Sequence, residues 1–391
     1  MKTVGVVGAG VIGACVAFCL VQRGVRVHCV ERARPGGLTS EVSFARLSAY
    51  QQPTYARFEL SHTGIIEHAH FARQFDVAPW WHPTGSLAWS DAQGSGGGVA
   101  GDDRSFAEIV DRLSAWGYRV SRTDAARVNR EWEPGIAFPD ARTPAVLFPD
   151  EGWIDGPVLA SALIEASQRT GLLSLSHSTV DDIEVAGGRV VAMRLENGER
   201  IGVDHVVNAA GPEAPTVAKM PGAPVTSAFA PGAVATRSSL VVDLLTGSDP
   251  VAHVLRGAEA HARPAGPGRV RVRSDQVDAR LAAGLGPDPG DEVVKELLER
   301  AYRTVPALES STVARARIAT AVFPADGLPS VGALSSVPGY YEAFANSGIT
   351  LAPFIGRTLA TQITTGETHP LWARCSPDRL RATPRTTSDP K

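Results

Sequence analysis

The chain has 391 residues, 43% of them hydrophobic and 20% charged, with a formal net charge of -3 at pH 7. Such a length suits two domains and buries a sizeable core, while a slight acidic excess without any Lys/Arg block excludes nucleic acid and a charged membrane surface as partners. The four cysteines, Cys15, Cys19, Cys29 and Cys375, make no C-x-x-C or Cys/His metal spacing, so no disulfide framework or metal site is expected and a reducing cytoplasm fits.

The first predicted unit is "MKTVGVVGAGVIGACVAFCLVQRGVRVHCVER", uncharged between Lys2 and Arg23. Glycines at 5, 8, 10 and 13 are too many for an apolar export helix, since each costs up to ~1 kcal/mol relative to alanine. The alternative uses every glycine: strand Thr3–Val7, the turn Gly8-Ala9-Gly10-Val11-Ile12-Gly13, helix Ala14–Arg23 stopped by Gly24, and strand Val25–Val30 ending in Glu31. G-x-G-x-x-G between strand and helix, with an acid about 20 residues on, is the dinucleotide fingerprint. Gly8 permits the tight turn, Gly10 admits a pyrophosphate to the backbone, and Gly13 lets helix and strand pack closely. The helix N-terminus favours the phosphate charge, and Glu31 can accept both hydroxyls of a ribose.

"GGLTSEVSFA", small and hydroxyl-rich, follows, suited to running along a cofactor; Tyr55–Phe75 has helical periodicity. Residues 80–89 read as strand, 92–103 as a flexible loop, and 104–117 and 123–131 as helices. Trp80, Trp81 and His82 read as aromatic core, with the lining of a pocket as the alternative. Asp155 is an N-cap for a helix that stops at Gly171. A meander runs Thr179–Ala186, Arg189–Glu196 and Glu199–Val203, its turns marked by Gly187-Gly188 and Asn197-Gly198, and leads into "HVVNAAG" at 205–211. Strands near 234–245 and 251–274 and a helix within 289–305 suggest a second domain over 223–315. The chain returns through "RIATAVFPADGLPSVGAL" to a helix opening at Ser347-Gly348, and from Ser376 its polar, Pro-rich tail is expected to be disordered.

In Gly8–Gly13 with Glu31-Arg32, "GGLTSEVSFA", "HVVNAAG", "PADGLPSVG" and "NSGITLAPFIGR", the chain resembles the D-amino-acid oxidase superfamily, in its glycine oxidase, sarcosine oxidase and D-amino-acid dehydrogenase branch. The resemblance implies an α/β (α+β two-domain) fold: a Rossmann-like FAD-binding domain over 1–50, 150–222 and 316–374, interleaved with a β-sheet-rich substrate domain over 51–149 and 223–315, and a tail over 375–391. It implies non-covalent FAD, with pyrophosphate on Gly8–Gly13, adenosine on Glu31, Arg32 beside it, Val180 meeting the adenine through its backbone, and Ala210-Gly211 closing the "HVVNAAG" strand beside the cofactor. Thr39, Ser40 and Ser43 would lie along pyrophosphate and flavin. Gly348-Ile349-Thr350-Leu351 would face the flavin N1–C2=O edge, where a helix N-terminus stabilises negative charge.

Departures from the family pattern narrow the substrate. The cysteine used for covalent flavin attachment has no counterpart in Ile318-Ala319-Thr320-Ala321. The clamp arginine of glycine oxidase-like members falls on Ala321, the arginine and lysine of sarcosine oxidase-like members fall on Ala49 and Thr350, and the histidine of "HSGIT" is Asn346. Without these clamps an ordinary free amino acid is not the expected substrate. Arg46, at a position where sarcosine oxidase-like members carry an arginine against the flavin, is the candidate catalytic residue together with Thr350. Arg237, Arg263, Arg315 and Arg317 are weaker candidates, most of them expected to be solvated strand residues.

The implied activity is oxidation of the C–N bond of a small-molecule amine by hydride transfer to flavin N5, with oxygen or an electron carrier as acceptor, and without a membrane span. Oligomeric state stays open. A flavin monooxygenase, an NAD-linked dehydrogenase and a catalytically idle flavin-binding protein are the alternatives.

Overall fold

The computed structural model describes residues 2–50, 52–91, 104–222, 228–281 and 289–381; the loop expected at 92–103 lies outside them. The opening unit forms as expected. Thr3–Val7 is flanked in parallel by Arg26–Val30 and by His205–Asn208, with Val4 opposite both Val27 and His205. These occupy the middle of a six-stranded sheet whose spatial order is Ser330–Ala333, Tyr340–Phe344, His205–Asn208, Thr3–Val7, Arg26–Val30, Leu173–Ser176. Only the outermost pair, Ser330–Ala333 with Tyr340–Phe344, is antiparallel.

The first helix runs Val11–Val21 rather than starting at Ala14, because Gly10 is its N-cap. Its residues are buried almost all round, as in a helix covered on every side. It lies against the helix Gly348–Thr365, and the two approach closely at Gly356, where a Cβ would sit 2.7 Å from the Cys15 carbonyl carbon. That contact brings the N-terminus of the late helix to the N-terminus of the early one.

A second, eight-stranded sheet takes the order Thr312–Pro324, Val234–Leu245, Arg269–Arg273, His261–Pro264, Val254–Arg256, Ser86–Trp89, Pro144–Phe148, Ser121–Asp124. The stretch 251–274 is therefore three strands, not one. Residues 80–89 divide into Trp81–His82 and Ser86–Trp89, because Pro83 withholds an amide and Gly85 turns the chain at φ +76. Arg46–Leu47, Gly152–Ile154 and Trp81–His82 make a small sheet between the two large ones. The meander forms a separate three-stranded sheet whose turn glycines 187 and 188 both have positive φ, as a type I′ hairpin demands.

Two elements run across the expected divisions. Thr312–Pro324 pairs with Val234–Leu245 as far as Val234↔Pro324, so a division at 316 would cut a continuous strand. Helix Tyr55–Ala72 packs on Gly348–Thr365, and its Phe58, Ile65 and Phe71 share one core with Val4, Val6 and Val16. Although it lies in the 51–149 segment, it covers the first sheet's side of the molecule. The tail is ordered through Arg381: Leu380 is buried, and the Arg381 guanidinium pairs with the buried carboxylate of Glu342, which makes Ser376–Arg381 part of the folded body. Residues 382–391 lie outside the described chain.

Candidate active site

The turn Gly8–Gly13 is built on contacts that exclude any side chain. Gly8 sits at φ +97, and its Cβ would lie 2.7 Å from the Ala209 carbonyl oxygen; a Cβ on Gly13 would lie 1.9 Å from the Gly8 carbonyl oxygen. At Gly10 the nearest atom to a Cβ is Ser40 Oγ, at 3.3 Å, so this glycine keeps its space on the open side. The Ser40 hydroxyl accepts from the Val11 amide at 3.1 Å. Glu31 is 7% exposed, its two oxygens accepting from the amides of Ala9 (2.8 Å) and Ala33 (2.9 Å). The acid thus braces the turn while lining the cavity beside it.

That cavity, of about 210 Å³, brings together Gly8, Gly10, Glu31, Arg32, Thr39, Ser40, Val180, Ala210 and Gly211. Val180 opens its strand next to a bulge, and Gly211 starts a 3₁₀ turn at φ +56. Gly36-Gly37-Leu38, the start of the segment expected along the cofactor, also line it, as do Ser178-Thr179 and Pro212-Glu213, which sequence reasoning missed. The signal available was adjacency, since each flanks a residue already singled out.

The second turn lies a short step away. Gly348 begins the late helix behind Ser347, which offers no side-chain cap, so the first amides of that helix are uncapped. A Cβ on Gly348 would be 3.1 Å from Ile12 Cδ1, and Leu351 is buried behind it. The Ile349 carbonyl accepts from Nε2 of buried His68 at 2.7 Å; burial pushes this imidazole down to about 4, against that hydrogen bond. The Thr350 hydroxyl donates to the Arg46 carbonyl at 3.4 Å, so the two candidate catalytic residues are neighbours.

Arg46 follows Ala45, which has φ +57, the one positive value on a non-glycine among the described residues. The Ser43 hydroxyl accepts from the Ala45 amide at 3.0 Å; Ser43 thus holds this turn and does not line the cavity. The Thr39 hydroxyl donates to the Thr320 carbonyl at 2.9 Å. The guanidinium of Arg46 carries a solvent-shielded nitrogen, Nη1, with no hydrogen-bond partner, and burial lowers its affinity for the proton. A buried donor left unmade costs about 1–3 kcal/mol, so a group that accepts from it is favoured there.

Above this segment lies one face of the eight-stranded sheet. Strand alternation and register put Arg237, Arg263, Arg271, Arg273 and His261 on that face. Arg271 forks onto Asp243 at 2.6 and 2.8 Å and donates to the carbonyls of Glu41 and Ser43. Arg263 is buried, donates to the Phe44 carbonyl, and lies 4.3 Å over the Trp153 ring. It is therefore a clamp on the 41–47 segment, not the solvated strand residue expected. Arg317 and Arg315 pair with Glu41, the former half-buried, the latter exposed as expected. Arg237 is exposed, stands directly across from Ala321, and rests over Phe323. Trp80 is core, while His82 stacks on Trp153 with ring centroids 3.7 Å apart. The alternation "GRVRVR" at 268–273 was the signal for a charged inner face.

Among the described residues no group of His, Cys, Asp and Glu could hold a metal, and no helix is long and apolar enough to cross a membrane. Residues 3–362 match the family model described as DAO, FAD dependent oxidoreductase. The chain is 24% identical to the "Uncharacterized oxidoreductase YurR" of Bacillus subtilis (strain 168), over 92% of this chain and 94% of that protein. In three dimensions it superposes on glycine oxidase from Geobacillus kaustophilus with a TM-score of 0.81 at 19% identity, over 98% of this chain and 100% of the other. Iminodiacetate oxidase from Chelativorans sp. BNC1 gives 0.79 at 19%, over 96% and 98%. At such identities the structural likeness carries the fold alone.

Proposed function

Because this chain belongs to the DAO family of FAD-dependent oxidoreductases, we propose that it oxidises the C–N bond of an amine or amino-acid-like substrate, using FAD held without a covalent link. Bound FAD supplies the hydride acceptor for that oxidation. The observation that carries the reading is the convergence of two glycine turns from opposite ends of the chain, with Gly348 against Ile12 and Thr350 joined to Arg46.

The residues present fit the cofactor. At Gly10 the Gly8–Gly13 turn leaves open the space that a Cβ would fill, so it would hold the pyrophosphate, with Ile12 offering a helix amide and Ser40, which accepts from the Val11 amide, beside it. Glu31, already fixed by two amides, keeps lone pairs for ribose hydroxyls; Arg32 flanks it, and Val180, Ala210 and Gly211 wall the adenosine end. Thr39 would stand along the path toward the ring, with Ser43 holding the turn behind it; Arg46 and the uncapped amides of Gly348, Ile349 and Thr350 would meet the negative charge of a reduced flavin, next to Leu351, whose own amide donates to the Ser347 carbonyl. The substrate would then face the arginine-bearing side of the eight-stranded sheet. With alanine at 49 and 321, recognition of its remainder falls to other groups, so ordinary free amino acids are disfavoured.

An anaerobic panel of amines, including carboxylate-free ones, followed by flavin absorbance tests the reading. Purified protein is expected to carry flavin, and at least one secondary or substituted amine to bleach it. Protein without flavin, or flavin that no amine bleaches, overturns the reading; tight FAD with no response identifies an idle flavin-binding protein.

A further inference from the structure

On the sheet face above Arg46 one buried histidine keeps a ring nitrogen without a partner. His261 is 4% exposed. Its Nε2 meets Asp275 Oδ2 at 2.8 Å, while its Nδ1 is shielded from solvent and has no hydrogen-bond partner. A carboxylate only accepts, so Nε2 carries the hydrogen and Nδ1 bears the lone pair. Resting on the amine-oxidation reading above, we propose that His261 Nδ1 takes the proton from the substrate's ammonium group, with Asp275 as its positioning residue.

The location agrees. His261 shares its strand and face with Arg263, two residues on, which donates to the Phe44 carbonyl. Its ring centroid is 6.1 Å from that of Phe44, two residues before Arg46. Asp275 keeps 46% of its side-chain surface open while His261 keeps 5%, so the carboxylate stands on the solvent side of the pair and Nδ1 on the shielded side. Three charged groups act on the imidazole: Asp275 raises its proton affinity, while Arg46 and Arg273 lower it. Burial is the largest influence and also lowers it, so the ring rests neutral at neutral pH, ready to accept.

The chemistry needs such a group. An ammonium nitrogen has no lone pair to push as its α-carbon loses hydride, and amines are protonated near pH 7. In the proposed step the substrate N–H bond breaks, its electron pair stays on nitrogen, and the proton bonds to Nδ1. The Asp275 carboxylate then offsets the imidazolium charge, as the acid of a hydrolase triad does. The two-electron oxidation that follows falls to FAD, and the proton leaves to solvent between turnovers.

Two measurements on the FAD-loaded protein test this. In ¹⁵N-histidine NMR, a resonance pair lost in His261→Asn is expected to show protonated Nε2 and unprotonated Nδ1; a protonated Nδ1 in the neutral ring overturns the proposal. In anaerobic reduction by the best amine, His261→Asn is expected to retain FAD but react at least about 100-fold more slowly, as loss of a general base entails. Its rate should also lose the rise with pH seen in the wild type. Should that variant not fold, Asp275→Asn serves: removing the anion shifts the rise to lower pH, and an unshifted rise overturns the proposal. Wild-type rate and pH profile in His261→Asn overturn this inference alone, whereas a wild-type flavin inert to every amine overturns the parent reading and this one together.

Discussion

The two ends of the candidate site are built on opposite plans. At the nucleotide end, Gly8, Gly13, Ala9 and Glu31 contact one another within a single βαβ unit, mainly through backbone amides and carbonyls. At the other end, Arg271 reaches from the eight-stranded sheet to carbonyls of Glu41 and Ser43, and Thr350 reaches to Arg46, across more than two hundred residues in each case. The first plan is rigid because no side chain fits at Gly8 or Gly13. The second depends on long side chains whose charges must be met by partners from elsewhere in the fold. An invariant ligand moiety suits the first, and a reaction site that varies with substrate suits the second.

The largest effect should come from filling the first plan. In Gly13→Ala the new Cβ would meet the Gly8 oxygen at 1.9 Å, so the turn must open. Purified protein is expected to contain no bound flavin by absorbance; full flavin content would break the proposed cradle. Next is the second plan. Arg271→Ala leaves Asp243, a half-buried carboxylate now held below the usual range by that guanidinium, without its partner and frees two carbonyls. Removing one member of a buried pair costs about 3–5 kcal/mol. Denaturant unfolding should register that loss, and Asp243→Ala on the same background should recover part of it. Flavin content should fall less than amine-dependent reduction; equal falls would erase the distinction between the two ends.

The same contrast explains what could be read from the sequence. The βαβ unit, the Gly187-Gly188 hairpin and the Asp155 cap, which accepts from the Val158 amide, rest on residues near one another in the chain. Local spacing carries their meaning. Arg263 and Arg271 look like any alternating strand arginines, because the atoms that bury and bind them, Phe44, Trp153, Asp243 and Ser43, are remote in sequence. Arg381 looks like a tail residue for the same reason, since nothing local announces the buried Glu342. The strand through position 316 is hidden in the sequence because a strand end shows only where its partner ends, and Val234↔Pro324 is such a pairing. Nothing near His261 in the chain marks it, because a lone histidine gains its meaning from Asp275 and from an unfilled Nδ1.

A smaller effect separates the histidine under the late turn from the charged face. His68 is buried, with its proton affinity lowered to about 4 from 6.5. The folded state therefore binds fewer protons than the unfolded chain between these values. Its contribution is fully present above pH 6.5 and is lost as pH falls toward 4, by about 3 kcal/mol at about 1.4 kcal/mol per unit. His68→Gln keeps a donor for the Ile349 carbonyl but does not titrate. Stability measured against pH should fall less steeply in the variant across that window, all other histidines being common to both proteins. Parallel curves would mean that His68 is solvated in the folded state.

The smallest effect belongs to the rim of the second plan, and its smallness is the point. Glu41 is approached by Arg34, Arg315 and Arg317, of which Arg315 keeps 58% of its side-chain surface exposed and Arg317 keeps 18%. Losing one exposed partner from a carboxylate that retains two others should change stability by no more than about 0.5 kcal/mol, and Arg315→Ala should leave both flavin content and amine reduction at wild-type levels. Arg317→Ala removes the partner that lies against the inner face and should cost more. If the two substitutions act alike, depth on this face does not decide the worth of an arginine. The contrast between clamp and rim would then have to be drawn from hydrogen-bond count, in which Arg271 exceeds both.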